Sequence, residues 1–203
     1  MMELNIGFIA SHNGTNVRAI IENIEKGALD AKAKVIITNN HDAGVLEIAK
    51  EKGIPHYCLN AKNIPAGYGS LDKAMLGILR SHGVTLVLLA GYMKKTGPLT
   101  LNAYHNRILN IHPSLIPKYT GKGMYGSNVH KAVIESKDKE TGVTVHIVNE
   151  DYDKGKILAQ CRIPRFQKDT VKTLSSRVLR FEHMLYSQVL IDIKDGLIEL
   201  DMD

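Results

Sequence analysis

The first half of the chain alternates short apolar runs with segments of helical spacing. Four runs have the continuous apolar character of buried strands, at residues 4–10, 35–38, 55–59 and 84–90. Three segments between them carry apolar residues at helical intervals, at residues 16–26, 44–52 and 71–82. Strands that are separated by helices pair in parallel through right-handed crossovers, and both faces of such a sheet are buried. The pattern therefore predicts a parallel sheet with helices on both sides.

The second half has a different pattern, in which two strands follow each other without a helix between them. Strands are predicted at residues 107–112, 141–148 and 156–164, and helices at residues 128–137 and 170–193. The last two strands are close enough along the chain to pair antiparallel. Asp169 or Thr170 is expected to cap the final helix. We expect one α/β domain over residues 1–203, with a Rossmann-like mixed, mostly parallel sheet flanked by helices and a long C-terminal helix.

Composition narrows the class of partner. No apolar run is long enough to cross a bilayer, and the first residues, MMELNIGFIA, lack the basic region and cleavage site of a signal peptide. Cys58 and Cys161 stand far apart and are expected to be free thiols in a reducing cytoplasm. The net charge of +5 suits small anionic ligands. Because no RNA-recognition signature is present and Trp is absent, neither a nucleic-acid nor a membrane partner is expected.

The segment SHNGTN, residues 11–16, lies where the first strand turns into the first helix. Backbone N–H groups at such a helix start, among small side chains, can bind an anion. The turn has one glycine where the dinucleotide fingerprint needs three, so a single phosphate is a better candidate than a nicotinamide cofactor. The alternative is a plain turn in which Asn13 or Thr15 caps the helix, and the residues alone leave both interpretations open.

Asn110 and His112, in the segment LNIHPSLIPKYTG, are two residues apart in a predicted strand and therefore point to the same face. Pro113 ends the strand, which places both side chains at its carboxyl end, where open α/β sheets bind ligands. An amide beside an imidazole can polarise a carbonyl, hold the oxyanion that forms and move a proton. The alternative is a histidine that only makes a structural hydrogen bond to a backbone carbonyl.

Three carboxylates follow the next strand, in the segment HIVNEDYDKG: Glu150, Asp151 and Asp153. A carboxylate next to His112 would raise the pKa of the imidazole and orient the ring. An acidic hairpin loop is the plain alternative. The spacing alone does not say which acid matters.

The spacing of the His and Cys residues does not indicate a metal site, and the common motif of a serine nucleophile is absent from the sequence. Nine histidines are present, but there is no HExxH segment and no Cys/His pair at the spacing of zinc ligands. There is no GxSxG segment either. No metal is therefore expected.

These segments together resemble the folate-dependent formyltransferases, nearly from end to end. The resemblance is carried by SHNGTN, ITNNHDAG, LLAGYMKKTG, HPSLIPKY, GVTVHIVNEDYDKGKIL and RVLRFEHMLY. The phosphate turn and the pair Glu182-His183 are similar to those of the members that act on a nucleotide. The resemblance implies formyl transfer from 10-formyltetrahydrofolate to the amine of glycinamide ribonucleotide in de novo purine biosynthesis, by a cytoplasmic monomer or homodimer.

The resemblance also implies roles by position. Asn110 and His112 would flank the formyl carbonyl, with His112 as the proton donor that stabilises the tetrahedral oxyanion. Asp153, supported by His146, would raise the pKa of His112. The implied substrate-binding residues are Gly14, Thr15, Asn16, Arg180 and Glu182. The implied cosubstrate-binding residues are Met93, Lys94, Lys95, Thr96, Asn110, Asn149, Glu150, Asp151 and Tyr152.

The pattern of elements predicts two lobes in the domain, a phosphate-binding lobe over about residues 1–105 and a catalytic lobe over about residues 106–203. The resemblance implies a cis peptide at Ile116-Pro117 and also shows a few departures from the family. His12 stands where the family has Gly, and Lys94 and Lys95 replace apolar residues. Tyr68 stands where some members have a folate-binding Arg. The loop at residues 121–126 is longer than usual.

Two alternatives remain beside this interpretation. A sister formyltransferase acting on methionyl-tRNA or an amino sugar, or a hydrolase that frees formate from the folate, would share the core motifs. The tRNA enzyme and the hydrolase carry an extra domain, for which we expect no room in the printed sequence. A non-catalytic module that binds a nucleotide phosphate would use residues 11–16 but leave Asn110, His112 and Asp153 without a role.

Overall fold

The computed structural model describes residues 3–121 and 123–201 of the chain, and within them a single seven-stranded sheet in the order β3-β2-β1-β4-β5-β6-β7. The strands are β1 (Asn5–Ala10), β2 (Lys32–Thr38), β3 (His56–Cys58), β4 (Leu86–Leu89), β5 (Ile108–His112), β6 (Glu140–Ile147) and β7 (Ile157–Pro164). The helices are α1 (Thr15–Glu25), α2 (Val45–Glu51), α3 (Leu71–Ser81), α4 (Pro98–Ala103), α5 (Ser127–Ser136) and α6 (Val171–Lys194).

The predicted architecture is confirmed. Strands β1 to β5 pair in parallel, and β6 and β7 add to the edge in antiparallel fashion. Thr170 is the N-cap of α6, and the Ile116-Pro117 peptide is cis. The division into two lobes near residue 105 stays a prediction, and β4 and β5, which flank it, are neighbours in the one sheet. No helix within the described residues has the length and apolarity needed to cross a membrane.

Alternate residues of the central strands enter two separate cores. Phe8 and Leu88 belong to the core under α1, α2, α5 and α6, whereas Ile9 and Leu89 belong to the core under α3 and α4. Both faces of these strands are buried, which explains why their sequences are continuously apolar. Burying one such side chain completely contributes about 1.5–3 kcal/mol. The two cores hold the strand ends, where the site lies, at fixed positions.

One hydroxyl fixes the long helix α6 to the ends of two central strands. Tyr186 is fully buried, and its hydroxyl donates to the carbonyl oxygens of Leu89, at 3.2 Å, and Leu109, at 3.0 Å. Burial raises the pKa of this phenol well above its usual value, so the hydroxyl keeps its hydrogen. Leu89 ends β4, and Leu109 directly precedes Asn110. The contact therefore sets α6 against the strand ends that carry the site.

Replacing Tyr186 with Phe should lower the free energy of unfolding by about 1–3 kcal/mol, because two buried carbonyl oxygens lose a donor. Urea denaturation measures this change. Tyr57→Phe is the matched control, since the Tyr57 hydroxyl contacts His82 at a partly exposed position, 36% for Tyr57. The control should change stability by no more than about 0.5 kcal/mol. Equal losses in the two variants would contradict the anchoring role of Tyr186.

Candidate active site

Asn110 and His146 face each other across β5 and β6. The strand register pairs them, and Asn110 Nδ2 lies 3.1 Å from His146 Nε2. His146 Nδ1 lies 2.9 Å from the carbonyl oxygen of Ile147, which can only accept a hydrogen bond. Nδ1 therefore carries the ring hydrogen, and Nε2 accepts one from the Asn110 amide. The second N–H of that amide stays free for a ligand.

His112 is held in one tautomer by the backbone. Its side chain is buried, and Nε2 lies 2.9 Å from the carbonyl oxygen of Tyr119. Because this oxygen is an acceptor, Nε2 carries the hydrogen of the neutral ring. The lone pair is then on Nδ1, which lies 3.6 Å from Asp153 Oδ1.

The Tyr119 carbonyl reaches His112 through an unusual backbone conformation. The φ of Tyr119 is +57°, a left-handed value that few non-glycine residues adopt. Its side chain is fixed at the other end, where the hydroxyl donates to Asp138 Oδ2 at 2.7 Å and lies 2.6 Å from Ser136 Oγ. The acceptor for His112 is thus set by the path of the main chain.

Asp153 is the acid of its loop that reaches the histidines. Its Oδ1 lies 3.6 Å from His112 Nδ1 and 3.6 Å from His146 Nε2, and its Oδ2 accepts from the Gly121 N–H at 3.3 Å. Glu150 and Asp151 are exposed. The structure thus brings Asn110, His112, His146 and Asp153 together, and we name these four residues the histidine–aspartate cluster. Their chemical roles stay predictions.

Burial decides the pKa of His112, against the direction that the sequence predicts. Burial lowers this pKa, and the charge of Asp153 and the Tyr119 carbonyl raise it by less. Asp153 therefore acts on this pKa in the predicted direction, but burial outweighs it, and the net pKa of His112 lies below its usual value. Burial also favours a higher pKa for Asp153, but contacts with His146, His112 and Gly121 outweigh it, and the net pKa is lowered. At neutral pH the cluster holds a neutral His112 beside a charged Asp153.

The cluster opens into a cavity of about 840 Å³, a size typical of small-molecule sites. All but one of the predicted site residues line it: Gly14, Thr15, Asn16, residues 93–96, Asn110, His112, His146, residues 149–153 and Glu182. Arg180 is exposed on α6 and is not part of this lining. A substrate contact by Arg180 stays a prediction without support from the cavity.

The turn before α1 leaves the helix start bare, as an anion site requires. Its N-cap is Gly14, with a φ of +69°, and no side chain caps the helix. The alternative turn, capped by Asn13 or Thr15, is therefore wrong. Glycine is required here because φ is positive and because a Cβ atom would collide with Val45. The first N–H groups of α1 have no side-chain acceptor of their own, and residues 12–16 line the cavity.

Asn16 uses its side chain to hold Glu182. Its Nδ2 donates to Glu182 Oε2 at 2.7 Å, across 166 residues of sequence. Burial raises the pKa of Glu182, and the Asn16 hydrogen bond only partly opposes this rise. The Asn16 side-chain oxygen is buried without a partner among the described residues. Because the Asn16 side chain is engaged with Glu182, its main-chain N–H is the group that Asn16 leaves free at the start of α1.

The loop at residues 93–96 is fixed at both ends. Ser11 Oγ accepts from the Met93 N–H at 2.9 Å, which ties this loop to the turn before α1. Asp72 accepts hydrogen bonds from the first N–H groups of α4, and a Cβ atom at Gly97 would collide with its carboxylate. The Thr96 hydroxyl is buried without a partner among the described residues. The loop is thus held by hydrogen bonds on both sides, and Thr96 is part of the cavity lining.

Of the positions that depart from the family pattern, Lys94 and Lys95 lie at the cavity and Tyr68 does not. Lys94 and Lys95 are exposed at the cavity, and Lys95 Nζ lies 5.9 Å from the centre of the Tyr152 ring. This cation–π contact links the loop at residues 93–96 to the loop at residues 149–153. Tyr68 packs beside Gly77 of α3 and is not part of the lining. A folate contact at position 68 is therefore not supported.

Two groups of lining residues are not predicted from the sequence. One lies at the start of α5, with Gly121, residues 123–127 and His130, and the other on α6, with Ser175, Ser176 and Leu179. His130 is buried, and burial lowers its pKa to about 4. It lies between Val129 and Val133 on the buried side of α5, which is the pattern of a core residue. The sequence pattern therefore does not distinguish His130 from an ordinary core residue.

The matched family agrees with this geometry. Residues 4–190 match the family model described as formyl transferase, so the chain belongs to the formyl transferase family. It is 42% identical over 185 residues to the chloroplastic phosphoribosylglycinamide formyltransferase of Arabidopsis thaliana, covering 91% of this chain and 63% of that protein. It is 36% identical to the phosphoribosylglycinamide formyltransferase of Haemophilus influenzae, covering 97% of this chain and 93% of that one. The chain thus spans less than two thirds of the plant relative.

Solved structures show the same fold. The glycinamide ribonucleotide transformylase 1 of Symbiobacterium toebii superposes with a TM-score of 0.87 at 34% identity, covering 98% of this chain and 92% of that one. A formyltetrahydrofolate deformylase of Pseudomonas syringae superposes with a TM-score of 0.85, covering 99% of this chain and 64% of that one. At 19% identity, this second likeness shows the fold alone.

Asp153→Asn should lower the pKa of His112 further, because the variant removes the negative charge that opposes the effect of burial. NMR titration of the His112 ring measures the shift directly. Asp151→Asn is the control, since that carboxylate is exposed and contacts Lys154. A His112 pKa that rises in Asp153→Asn, or that falls equally in the control, would contradict the assigned geometry.

Proposed function

We propose that this chain transfers the formyl group of 10-formyltetrahydrofolate to the primary amine of glycinamide ribonucleotide, a step of de novo purine biosynthesis. The observation that carries the proposal is one cavity that joins the histidine–aspartate cluster to the bare start of α1. The names of the plant and bacterial relatives support it. A cytoplasmic location and a monomer or homodimer belong to the same proposal.

The cavity offers a place for each part of the two ligands. The phosphate of the nucleotide would lie at the first N–H groups of α1, where a helix start favours an anion. Glu182 would take the ribose or the glycinamide end. The folate would lie between residues 93–96 and residues 149–153. Lys94 and Lys95 at the mouth, and the net charge of +5, favour two anionic ligands.

Asn110 would stabilise the oxyanion. The amine nitrogen adds to the formyl carbon, and the carbonyl oxygen takes up the negative charge. One amide N–H of Asn110 is engaged by His146, so the other can donate to that oxygen. The amide is already oriented before the ligand arrives, and no reorganisation is needed in the transition state.

His112 would move the proton that the amine loses. It begins neutral, with its lone pair on Nδ1, and takes the proton from the nitrogen that has attacked. The imidazolium then gives this proton to the folate nitrogen as the bond from the formyl carbon to that nitrogen breaks. The resemblance implies that His112 donates to the oxyanion; in the proposed cycle it acts first as a base and then donates to the leaving nitrogen of the folate.

Asp153 would stabilise the charged form of His112 during this cycle. Its carboxylate lies 3.6 Å from Nδ1, and opposite charges at about this distance attract by roughly 4 kcal/mol at an effective dielectric constant of about 20. This attraction offsets the cost of charging a buried ring. It is present only while His112 carries the extra proton, so it acts on the transition state more than on ligand binding.

A direct assay tests the activity. Purified protein is mixed with 10-formyltetrahydrofolate and glycinamide ribonucleotide, and the formylated nucleotide is detected by mass spectrometry. We expect product only when both ligands are present. Release of free formate at the same rate without the nucleotide would identify a hydrolase instead, and failure to turn over either ligand would contradict the proposal.

Asp153→Asn should reduce kcat by roughly two to four decades, the usual range for lost acid–base assistance. This corresponds to about 3–5 kcal/mol of transition-state stabilisation. Binding of both ligands, checked by calorimetry, should change little because the charge acts on the imidazolium. Glu150→Gln and Asp151→Asn are the controls from the same loop and should keep kcat near that of wild type, because their exposed carboxylates do not contact the histidines. A nearly normal kcat in Asp153→Asn, or an inactive Asp151→Asn, would show that the wrong acid was assigned.

A further inference from the structure

His130 is a polar group in the cavity wall to which the proposed chemistry gives no role. It is 6% exposed and lines the same cavity as the histidine–aspartate cluster. Its Nδ1 is buried and has no hydrogen-bond partner among the described residues. Burying such a group without a partner is costly, so native structures almost always satisfy it with protein, water or ligand.

The start of α5 lies on the same side of the cavity and is also unsatisfied. Its N-cap is Gly126, and no side chain caps the helix. Ser127, the first helical residue, is exposed and lines the cavity. Within the described residues, the Asn128 N–H bonds to the Tyr125 carbonyl, but no acceptor is found for the Ser127 N–H. The same helix thus contributes to the cavity wall both the Ser127 N–H, without an acceptor among the described residues, and the side chain of His130.

This space lies beside the reacting pair. His130 is close enough to His112 that a charge on His112 would lower the pKa of His130. The chain runs from His112 through the loop at residues 121–126 into α5, and both ends of this path line the cavity. A ligand group bound here would sit next to the amine that reacts at His112.

The chemistry of the site favours an uncharged ligand group. Burial keeps His130 neutral at pH 7, since its pKa is lowered to about 4. A neutral imidazole has one donor and one acceptor, and the helix start adds donors. A carboxamide, with a carbonyl oxygen and an N–H, complements this set. The phosphate already has a matching site at α1.

We propose that His130 and the first turn of α5 bind the carboxamide in the arm that carries the reacting amine of the substrate. The inference rests on the proposed function, because glycinamide ribonucleotide has such an amide between its ribose and its amine. Binding the amide fixes the direction of the amine relative to His112. The site would therefore prefer a substrate whose amine is linked to the sugar through an amide to a simple amine that lacks the amide.

Three substitutions test the contact. His130→Phe keeps a ring of similar shape and removes both nitrogens, while His130→Asn and His130→Gln place an uncharged amide near Nδ1 and Nε2 respectively. His130→Phe should raise KM and Kd for glycinamide ribonucleotide about 10- to 100-fold, as expected for one or two lost hydrogen bonds. Either Asn or Gln should recover at least half of this loss on a logarithmic scale.

A truncated ligand separates recognition of the amide from a general structural effect. Ribose 5-phosphate keeps the sugar and phosphate but lacks the amide arm. Its Kd, and the KM for 10-formyltetrahydrofolate, should stay within about threefold of wild type in His130→Phe. The Tm of this variant should be unchanged or higher, because unpaired buried nitrogens are removed. His105→Phe, at an exposed position outside the cavity, is the matched control and should behave as wild type.

The outcomes distinguish the inference from the function on which it rests. Equal losses of affinity for glycinamide ribonucleotide and ribose 5-phosphate, or a marked fall in Tm, would give His130 a structural role and overturn the inference. An active wild type with an unchanged His130→Phe would overturn the inference alone. A wild type that does not formylate the nucleotide would overturn the proposed function and this inference together.

Discussion

The antiparallel pairing of β5 with β6 is the constraint from which the site is built. It places Asn110 opposite His146, which lies 36 residues further along the chain, and it directs the chain into the loop that carries Asp153. Because side chains alternate between the faces of a strand, a slip of one residue would send one partner to the opposite face. Thr144, opposite His112 in this register, donates to the Ser114 carbonyl at 2.7 Å and helps to hold the pairing.

Most of the fold could be predicted because buried strands and amphipathic helices leave strong local patterns. Helix α4 could not, because it has six residues and its start depends on the carboxylate of Asp72 from another helix. The residues of a helix do not show that a side chain from another helix caps its start. The same limit applies to the bond between Asn16 and Glu182, which joins two helices that are distant in sequence.

The residues of the histidine–aspartate cluster could be predicted from the sequence, but the pKa of His112 could not. Family motifs identified His112 and Asp153, and the sequence shows that an acid is available to a histidine. The sequence does not show how deeply the ring is buried, and burial outweighs the acid in setting the pKa of His112. His130 was missed for a related reason, since a histidine on the buried side of a helix has the pattern of a core residue.

The hydrogen bond from His112 to the Tyr119 carbonyl has a consequence for sequence variation. Every amino acid supplies a carbonyl, so no replacement at position 119 can delete the acceptor that fixes the imidazole tautomer. What a replacement must preserve is the left-handed turn of the chain, with its φ of +57°. Glycine and asparagine adopt that conformation most readily. A relative with a different residue at position 119 can therefore keep the same tautomer of the active-site histidine.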